Sequence, residues 1–449
     1  MTPAAAIPVE MVALAGRGKI HPWIHLDEQG VVVGRVTDAG KVQLVTSVRT
    51  THETESDAVK ELLSFAPRIY HDLRSRWADA DVDQWRHSEA TPSFSDALAL
   101  AIYELERAVE YVRPEQASLV ATWAVASYFH RAFLAFPRLQ LVGERGCGKS
   151  KVLTIIQKMA WNSSLLLTPT PAVLFRIIQE TRPTLLLDEC ETLDREDRRE
   201  LLAIINSGYK PGGNVPRCEG ERTKRVEFYD VFSPLAIAGI KGLNATTEDR
   251  AIPVVMQRGT DRTRLNIEID PAHPGFARVR AACYALLLDR HQDVRAASGT
   301  LVPPGWLNAR ALELWRPLLA LASVADAEHG LTLTKDLLTL AREHVEDRDE
   351  VSAEGEALLA ELAQRLGGTD MVIVRPGDLA EPIRQRLGWQ SLSAEQVGSW
   401  LRRFGFHRKG KGRAGAQYVI RAADLQKVTA RFGSEPTVTP SPSQDNHAK

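Results

Sequence analysis

Cysteine is scarce: Cys147, Cys190, Cys218 and Cys283 are the four in 449 residues. None is spaced for zinc or a local redox pair, so no disulfide or zinc framework organises the chain. A reducing cytoplasmic compartment fits best. No run of about eighteen apolar residues occurs, which excludes a transmembrane helix. The opening MTPAAAIPVEMVALAG lacks a basic leader and does not read as a signal peptide. Net charge is also lacking: 56 Lys+Arg face 57 Asp+Glu, for a formal −1. Any nucleic-acid-binding surface must therefore be local. His21 and His25 are the one close histidine pair, too few ligands for a metal site. No internal repeat is present. What is there, 44% apolar and 25% charged residues, is the make-up of a globular protein with room for two to four domains.

Residues 1–90 contain WIHL, VVVGRV and KVQLVTS, short β-branched runs separated by turn signals at 27–30 and 38–40. They predict a small β-rich module followed by helix, without evident chemistry. LALAIYELERAVEYV and SLVATWAVASYFHRAFLAF predict two helices, parted by Arg113-Pro114. From Leu139 to about Arg258, strand-like runs (139–142, 164–167, 184–188, 235–240, 251–256) alternate with helical segments (149–161, 171–181, 194–207). That alternation predicts a parallel sheet with helical cover, an α/β fold. Residues 275–365 are mainly helical, 371–432 form a separate basic module, and the tail from Gly433 is Pro/Ser-rich and reads as disordered.

LQLVGERGCGKSKVL sets G-x-x-x-x-G-K-S between an apolar strand and a helix, the context a phosphate-binding loop requires. Gly143, Gly146 and Gly148 let backbone N–H groups turn inward around phosphate oxygens. Glu144, Arg145 and Cys147 complete the loop. The helix N-terminus adds partial positive charge. Lys149 can reach the β- and γ-phosphates, and the Ser150 hydroxyl is a Mg²⁺ ligand. The bland alternative is a ligand-free glycine turn; the preceding strand, the Lys-Ser pair and the following helix weigh against it. PTLLLDECETL ends a second strand in Asp188-Glu189. Asp188 would face the hydration shell of Mg²⁺, and Glu189 would orient or deprotonate the attacking water. Alone this could be an acidic surface turn; its place one β-α unit after the loop favours the catalytic reading. Cys147 and Cys190 read as small packing residues. ATP and Mg²⁺ are the cofactors expected.

GERGCGKS, LLLDECETLDREDRRELLAIINSGYKPGG and SPLAIAGIKGLNATTEDRAIPVVMQR resemble a domain-of-unknown-function family of phage, plasmid and other mobile-element proteins. That family contains AAA+ ATPases often found with primase domains and thought to act as replicative helicases. The resemblance covers roughly residues 95–432 and is most specific around 140–260. It implies that Arg250, in TTEDRAIPV, is an arginine finger acting at the next subunit's γ-phosphate; an ion pair with Glu248 or Asp249 is the alternative. A polar sensor should follow strand 235–240, where Lys241 and Asn244 compete. Arg310 is the candidate second sensor, or else a helix-surface arginine.

In GYKPGGNVPRCEGERTKRVEFYDVF, residues 215–218 and 225–229 predict a hairpin with its turn at 219–224. It resembles the insertion that superfamily-3 and MCM-type helicases direct into the central pore. Lys210, Arg217, Arg222, Lys224 and Arg225 would then face phosphates of a threaded single strand; a solvated charged hairpin is the alternative. Residues 371–432 hold twelve Lys/Arg and four Asp/Glu, 12 − 4 = +8. PGDLAEPIRQRLG and SAEQVGSWLRRFGF predict two helices, HRKGKGRAG a basic loop and AQYVI a strand. This is the winged-helix order, with the helix starting near Ser393 as recognition helix. Arg402, Arg403, Arg408, Lys409, Lys411 and Arg413 would contact duplex phosphates, unless the module binds protein.

Together these features describe an α/β P-loop AAA+ parallel-sheet core (91–270) with a helical lid (271–368) and a C-terminal winged helix (369–432). A small N-terminal β-rich module (1–90) and a disordered tail (433–449) flank them. The expected function is an ATP-dependent DNA helicase or translocase of a mobile element, hexameric and partnered by DNA and by a primase. The alternative is a non-translocating AAA+ initiator, helicase loader or antiviral defence ATPase. A small-molecule kinase would need neither the basic module nor Arg250.

Overall fold

A computed structural model of the chain describes residues 9–16, 18–74, 76–188, 198–219, 225–240, 245–349, 353–412 and 415–432. The chain divides into two units, Met1–Arg342 and Glu343–Lys449.

The first unit opens with α1 (Val9–Ala15) and an antiparallel meander of β1 (Ile24–Leu26), β2 (Val31–Val36), β3 (Val42–Thr46) and β4 (Thr51–Glu53), followed by α2 (Asp57–Lys60). β1 to β3 are the three apolar runs of the sequence. β4, Thr-His-Glu, carries no apolar signal and is recruited by pairing with β3. Val32 and Leu44 close a small core with Met11, Leu14 and Ile20; Val36 and Val42 close another with Trp23 and Leu73. After α3 (Asp79–His87) come α4 (Phe94–Glu106), capped by Ser93, and α5 (Glu115–Ala126), buried along nearly its whole length. The N-terminal module is anchored to the remainder of this unit by polar and aromatic contacts. Tyr70 donates to Glu180 at 2.6 Å, Arg76 to the Gln157 carbonyl at 2.9 Å and Arg49 to Asp289 at 2.9 Å. Burial and the Glu180 bond push the Tyr70 hydroxyl up to about 12. Trp77 stacks on Tyr284 with centroids 4.8 Å apart.

The central sheet is built from β5 (Arg138–Val142), β6 (Ser164–Leu166), β7 (Leu185–Leu187), β10 (Leu235–Gly239) and β11 (Ala251–Val255). All pairings are parallel, in the order β11-β5-β10-β7-β6. Between them run α6 (Lys149–Met159), α7 (Pro171–Thr181), α8 (Arg199–Ser207), the hairpin β8 (Asn214–Glu219)–β9 (Arg225–Asp230) and the short α9 (Ala245–Glu248). Leu185, Leu187, Leu235 and Ile237 form one core with α7 and α8. By alternation Leu186, Ala236 and Ala238 line the other face, and they are equally buried. This two-sided burial explains the unbroken apolar runs. α7 follows its local signals closely: Thr170 caps it, Pro171 opens it and Arg182, in a left-handed conformation before Pro183, ends it. The unit closes with α10 (Arg262–Leu265), α11 (Pro274–Thr300), α12 (Ala309–Glu328) and α13 (Leu333–Asp349), within which the division falls.

The second unit has α14 (Ala353–Leu366), β12 (Met371–Val374), α15 (Pro376–Leu387), α16 (Ala394–Arg403), β13 (His407–Gly412), β14 (Gly415–Arg421) and α17 (Ala422–Phe432). Its antiparallel sheet has the order β12-β14-β13. Leu358, Leu362, Leu379, Ile383, Val397, Leu401, Tyr418 and Ile420 make its core. One element departs from expectation. HRKGKG, expected as loop, is strand β13, with a bulge between Arg408 and Gly410. Its polar residues hide no strand pattern; β14 imposes the pairing. α16 is fixed by a reciprocal cap between Ser393 and Gln396.

Among the described residues no helix is long and apolar enough to cross a membrane. Nor do they contain a group of three His, Cys, Asp or Glu able to hold a metal ion. His21 is buried against the Gln179 carbonyl, and burial followed by the Arg182 charge holds its pKa well below the ordinary value.

Candidate nucleotide site and its surroundings

The loop 143–148 leaves the C-terminal end of β5 and enters α6. Gly146 and Gly148 adopt φ of +78° and +92°, where a side chain would be strained. At Gly143 a Cβ would lie 2.3 Å from the Met256 carbonyl oxygen. Gly148 is the N-cap of α6 and makes no side-chain cap, so the helix's first amides are left for another acceptor. The first turn carries Lys149 and Lys151 and no acid. Cations at the positive end of a helix are unfavourable unless an anion answers them, and a bound phosphate is such an anion. Lys149 Nζ donates to the carbonyls of Gly143 at 2.6 Å and Glu144 at 2.8 Å, inside the loop. Ser150 is exposed in the first turn, while Cys147 is buried.

Several residues outside the motif brace this loop. Arg258 Nε donates to the Arg145 carbonyl at 3.2 Å. Met256 N donates to the Val142 carbonyl at 2.7 Å. Lys151 donates to the Arg264 carbonyl at 2.9 Å, and burial, then the Arg107 charge, lowers its pKa. Glu110 accepts from the backbone of Asp261 and Thr260, the main causes of its lowered pKa. Only the chain's return through β11 brings Met256 and Arg258 to the loop and its strand, so local sequence carries no signal for them.

Asp188 comes directly after β7 and is half-buried. β10 lies between β5 and β7, which sets the acid-bearing strand two spacings, roughly 10 Å, from the loop strand. A Mg²⁺ ion suits such a gap, since it keeps several waters and takes few protein ligands. Ser150 and Asp188, directly or through water, are the residues that would hold it; bound there, the ion would polarise the phosphates. The C-terminal end of β10 lies between β5 and β7, where a sensor would have to stand. Lys241 and Asn244 lie just past Ile240 and outside the described residues, as does Glu189.

Arg250 sits at the other end of the sheet. Ala251 pairs with Arg138 and Val255 with Val142, so Arg250 and the phosphate loop are separated by the five-residue length of β5, about 17 Å. Its guanidinium donates to the Thr246 carbonyl and makes no ion pair with a described residue. The expected alternative, a bond to Asp249, is not formed; Asp249 is taken by Arg310 at 2.5 Å. Arg310 is thereby at the Arg250 end and is not brought to the phosphate loop of its own chain. Beside it Arg138 is buried, donates to the carbonyls of Ser233 and Ile205, and is pulled down to about 9 by burial.

The β8–β9 hairpin is held at its base. Arg217 pairs with Glu200 and lies 4.9 Å over the Phe175 ring, which also meets Tyr229 at 4.5 Å. Lys210 is engaged by Glu313 at 2.5 Å. Arg225 is exposed; Arg222 and Lys224 lie outside the described residues. Cross-strand pairing puts Pro216 opposite Phe228 and Cys218 opposite Val226. Phe228 is 65% and Val226 56% exposed, an apolar row that the charge-based reading passed over. Its signal is the period-two pattern of RVEFYD. In the second unit Arg408 and Lys409 are exposed on β13, and Arg402 is exposed with one nitrogen 3.2 Å from the Tyr418 hydroxyl. The side chains of Arg403 and Lys411 and the whole of Arg413 lie outside the described residues.

The chain matches no protein-family model and no curated protein. Solved structures similar to it include one titled "SCCmec type IV Cch - active helicase", at 11% identity and TM-score 0.47, covering 93% of this chain and 80% of that one. The apo A form of the NrS-1 C-terminal region aligns at 10% identity and TM-score 0.34 over 87% of this chain and 96% of that one. Cdc6p from Pyrobaculum aerophilum aligns at 13% identity and TM-score 0.22, over 72% and 94% respectively.

Proposed function

We propose that this chain is an AAA+ ATPase that assembles into a ring, a hexamer on the family resemblance, and moves along or unwinds DNA in the replication of a mobile element. The observation that carries the reading is a separation within the sheet. The phosphate loop and Arg250 occupy opposite ends of it, so Arg250 reaches a nucleotide only if that nucleotide belongs to a neighbouring copy. ATP and Mg²⁺ are held by Gly143–Ser150 and Asp188, Glu189 activates water, and Lys241 or Asn244 senses the γ-phosphate. Arg250→Ala is expected to bind ATP and fail to hydrolyse it. Mixing it with Lys149→Ala should restore hydrolysis at mixed interfaces, read as phosphate release against mixing ratio; stable mixed rings without rescue would refute the finger.

The hairpin supports single-stranded DNA as the threaded partner. Arg222 and Lys224 precede β9 in the sequence, Arg225 opens it, and an exposed row ending in Phe228 follows; cations beside an aromatic platform are the means by which proteins hold single strands. Strand displacement on a forked substrate tests the motor. ATP hydrolysis without displacement or translocation would leave an initiator, loader or defence ATPase.

The second unit is proposed to be a winged helix on duplex DNA, with β13 and β14 as the wing. The +8 charge of residues 371–432 favours this over a protein contact. Changing Arg408, Lys409, Lys411 and Arg413 together to alanine should flatten the slope of log affinity against log salt by at most about 3.6, from roughly 0.9 per phosphate contact. Unrelated sequences should respond alike, because phosphate contacts do not specify sequence. Duplex titrations at several salt concentrations read this out; an unaltered slope would assign the strand pair to a protein partner. A primase is the further partner proposed.

A further inference from the structure

We propose that Arg310 is a positioning residue for Arg250, through which helix α12 sets the arginine that serves the neighbouring copy's nucleotide; this rests on Arg250 acting in trans. The backbone of the turn 246–250 is fixed from the sheet side. Thr247 Oγ1 and Asn206 Oδ1 lie 3.0 Å apart, Arg250 N donates to the Thr247 carbonyl at 3.0 Å, and Arg138 N donates to the Arg250 carbonyl at 2.9 Å. Arg310 grips the same turn from the helical side. One of its nitrogens donates to the Asp249 carboxylate at 2.5 Å and to the Asp249 carbonyl at 3.0 Å. The other donates to Glu313, one turn along α12, and Glu313 also receives Lys210 at 2.5 Å. The guanidinium plane lies 5.2 Å over the Tyr209 ring. A planar fork held by three partners is a stiff strut.

The chemistry of the contact explains why it matters. Asp249 is the immediate neighbour of Arg250, and a carboxylate with no stronger partner would draw that guanidinium into a charge-assisted bond. Arg310 holds the carboxylate, and Arg250 is left with a carbonyl alone among the described residues. Displacing α12 would remove the Arg310 grip on the turn that carries Arg250. A second-sensor role in its own site would require Arg310 at its own chain's phosphates, whereas it meets Asp249 at the opposite end of the sheet.

Subunit mixing separates the two roles. Arg310→Ala in the full chain is expected to keep ATP affinity. Its turnover should fall by about tenfold to a hundredfold, the scale of a displaced catalytic group. Mixed with Lys149→Ala it should regain activity, because the intact finger then comes from the Lys149→Ala copy. Mixed with Arg250→Ala it should not, because both lesions strike the finger. The reverse pattern, rescue by Arg250→Ala and none by Lys149→Ala, would make Arg310 a sensor acting in its own site and overturn the proposal, as would unchanged turnover. Arg310→Lys, which keeps volume near the original, should fall in the same complementation group and stand in if the alanine variant does not fold. Failure of the Arg250→Ala and Lys149→Ala control to rescue would remove the finger and the proposal together. Rescue of the control alone would overturn only the role of Arg310.

Discussion

Lys149→Ala is expected to bring ATP hydrolysis to background and to weaken ATP binding on the order of 100-fold. The magnitude comes from losing charge-assisted hydrogen bonds worth about 1.5–3 kcal/mol each to the phosphates. The fold should not suffer. The carbonyls of Gly143 and Glu144 that Lys149 engages lie in a surface loop where water can replace it. Removing a cation from the positive end of α6 should, without nucleotide, leave the melting temperature equal or slightly raised. Melting curves with and without Mg-ATP therefore provide the check. The original chain gains stability by ligand linkage, and the variant should need about 100-fold more ATP for the same gain. An equal rise at the same ATP concentration would show that phosphate is held elsewhere.

Glu189→Gln is expected to retain ATP affinity and to turn over at least about 100-fold more slowly, the worth of a positioned general base. The amide preserves size and can still accept a hydrogen bond, but it cannot take the proton of the attacking water. Single-turnover hydrolysis, measured alongside nucleotide binding, separates this from a defect in binding. Turnover near the original rate would move the base to another residue. Paired with Lys149→Ala, the result distinguishes loss of the ligand from loss of the chemistry, since Lys149 opens α6 and Glu189 follows Asp188 in the sequence, some forty residues on.

Much of the core was legible because its signals are local. An apolar run buried on both faces needs no partner to be recognised, so β5, β6, β7, β10 and β11 each fall within a residue or two of the sequence reading. The phosphate loop is likewise local, since three glycines, a lysine and a serine must follow a strand and open a helix. The hairpin strands 214–219 and 225–230 were visible from the turn between them. β4 and β13 were not, because their residues are polar and only an adjacent strand makes them strands.

The order of residues alone specifies the candidate reactive groups and the elements that carry them: the loop of Gly143–Ser150, Asp188 after a buried strand, Arg250 before another, and a basic module from 371 to 432. These depend on contacts between residues near one another in the chain. Which groups meet is settled by packing. The order β11-β5-β10-β7-β6 puts β10 between loop and acid and leaves Arg250 at the far end of β11. The same packing gives Asp249 to Arg310, 61 residues away, in place of Arg250 beside it. Pairings at that separation are fixed by how helices and strands bury their apolar faces, and no local pattern of residues encodes which two charged side chains that burial will bring together.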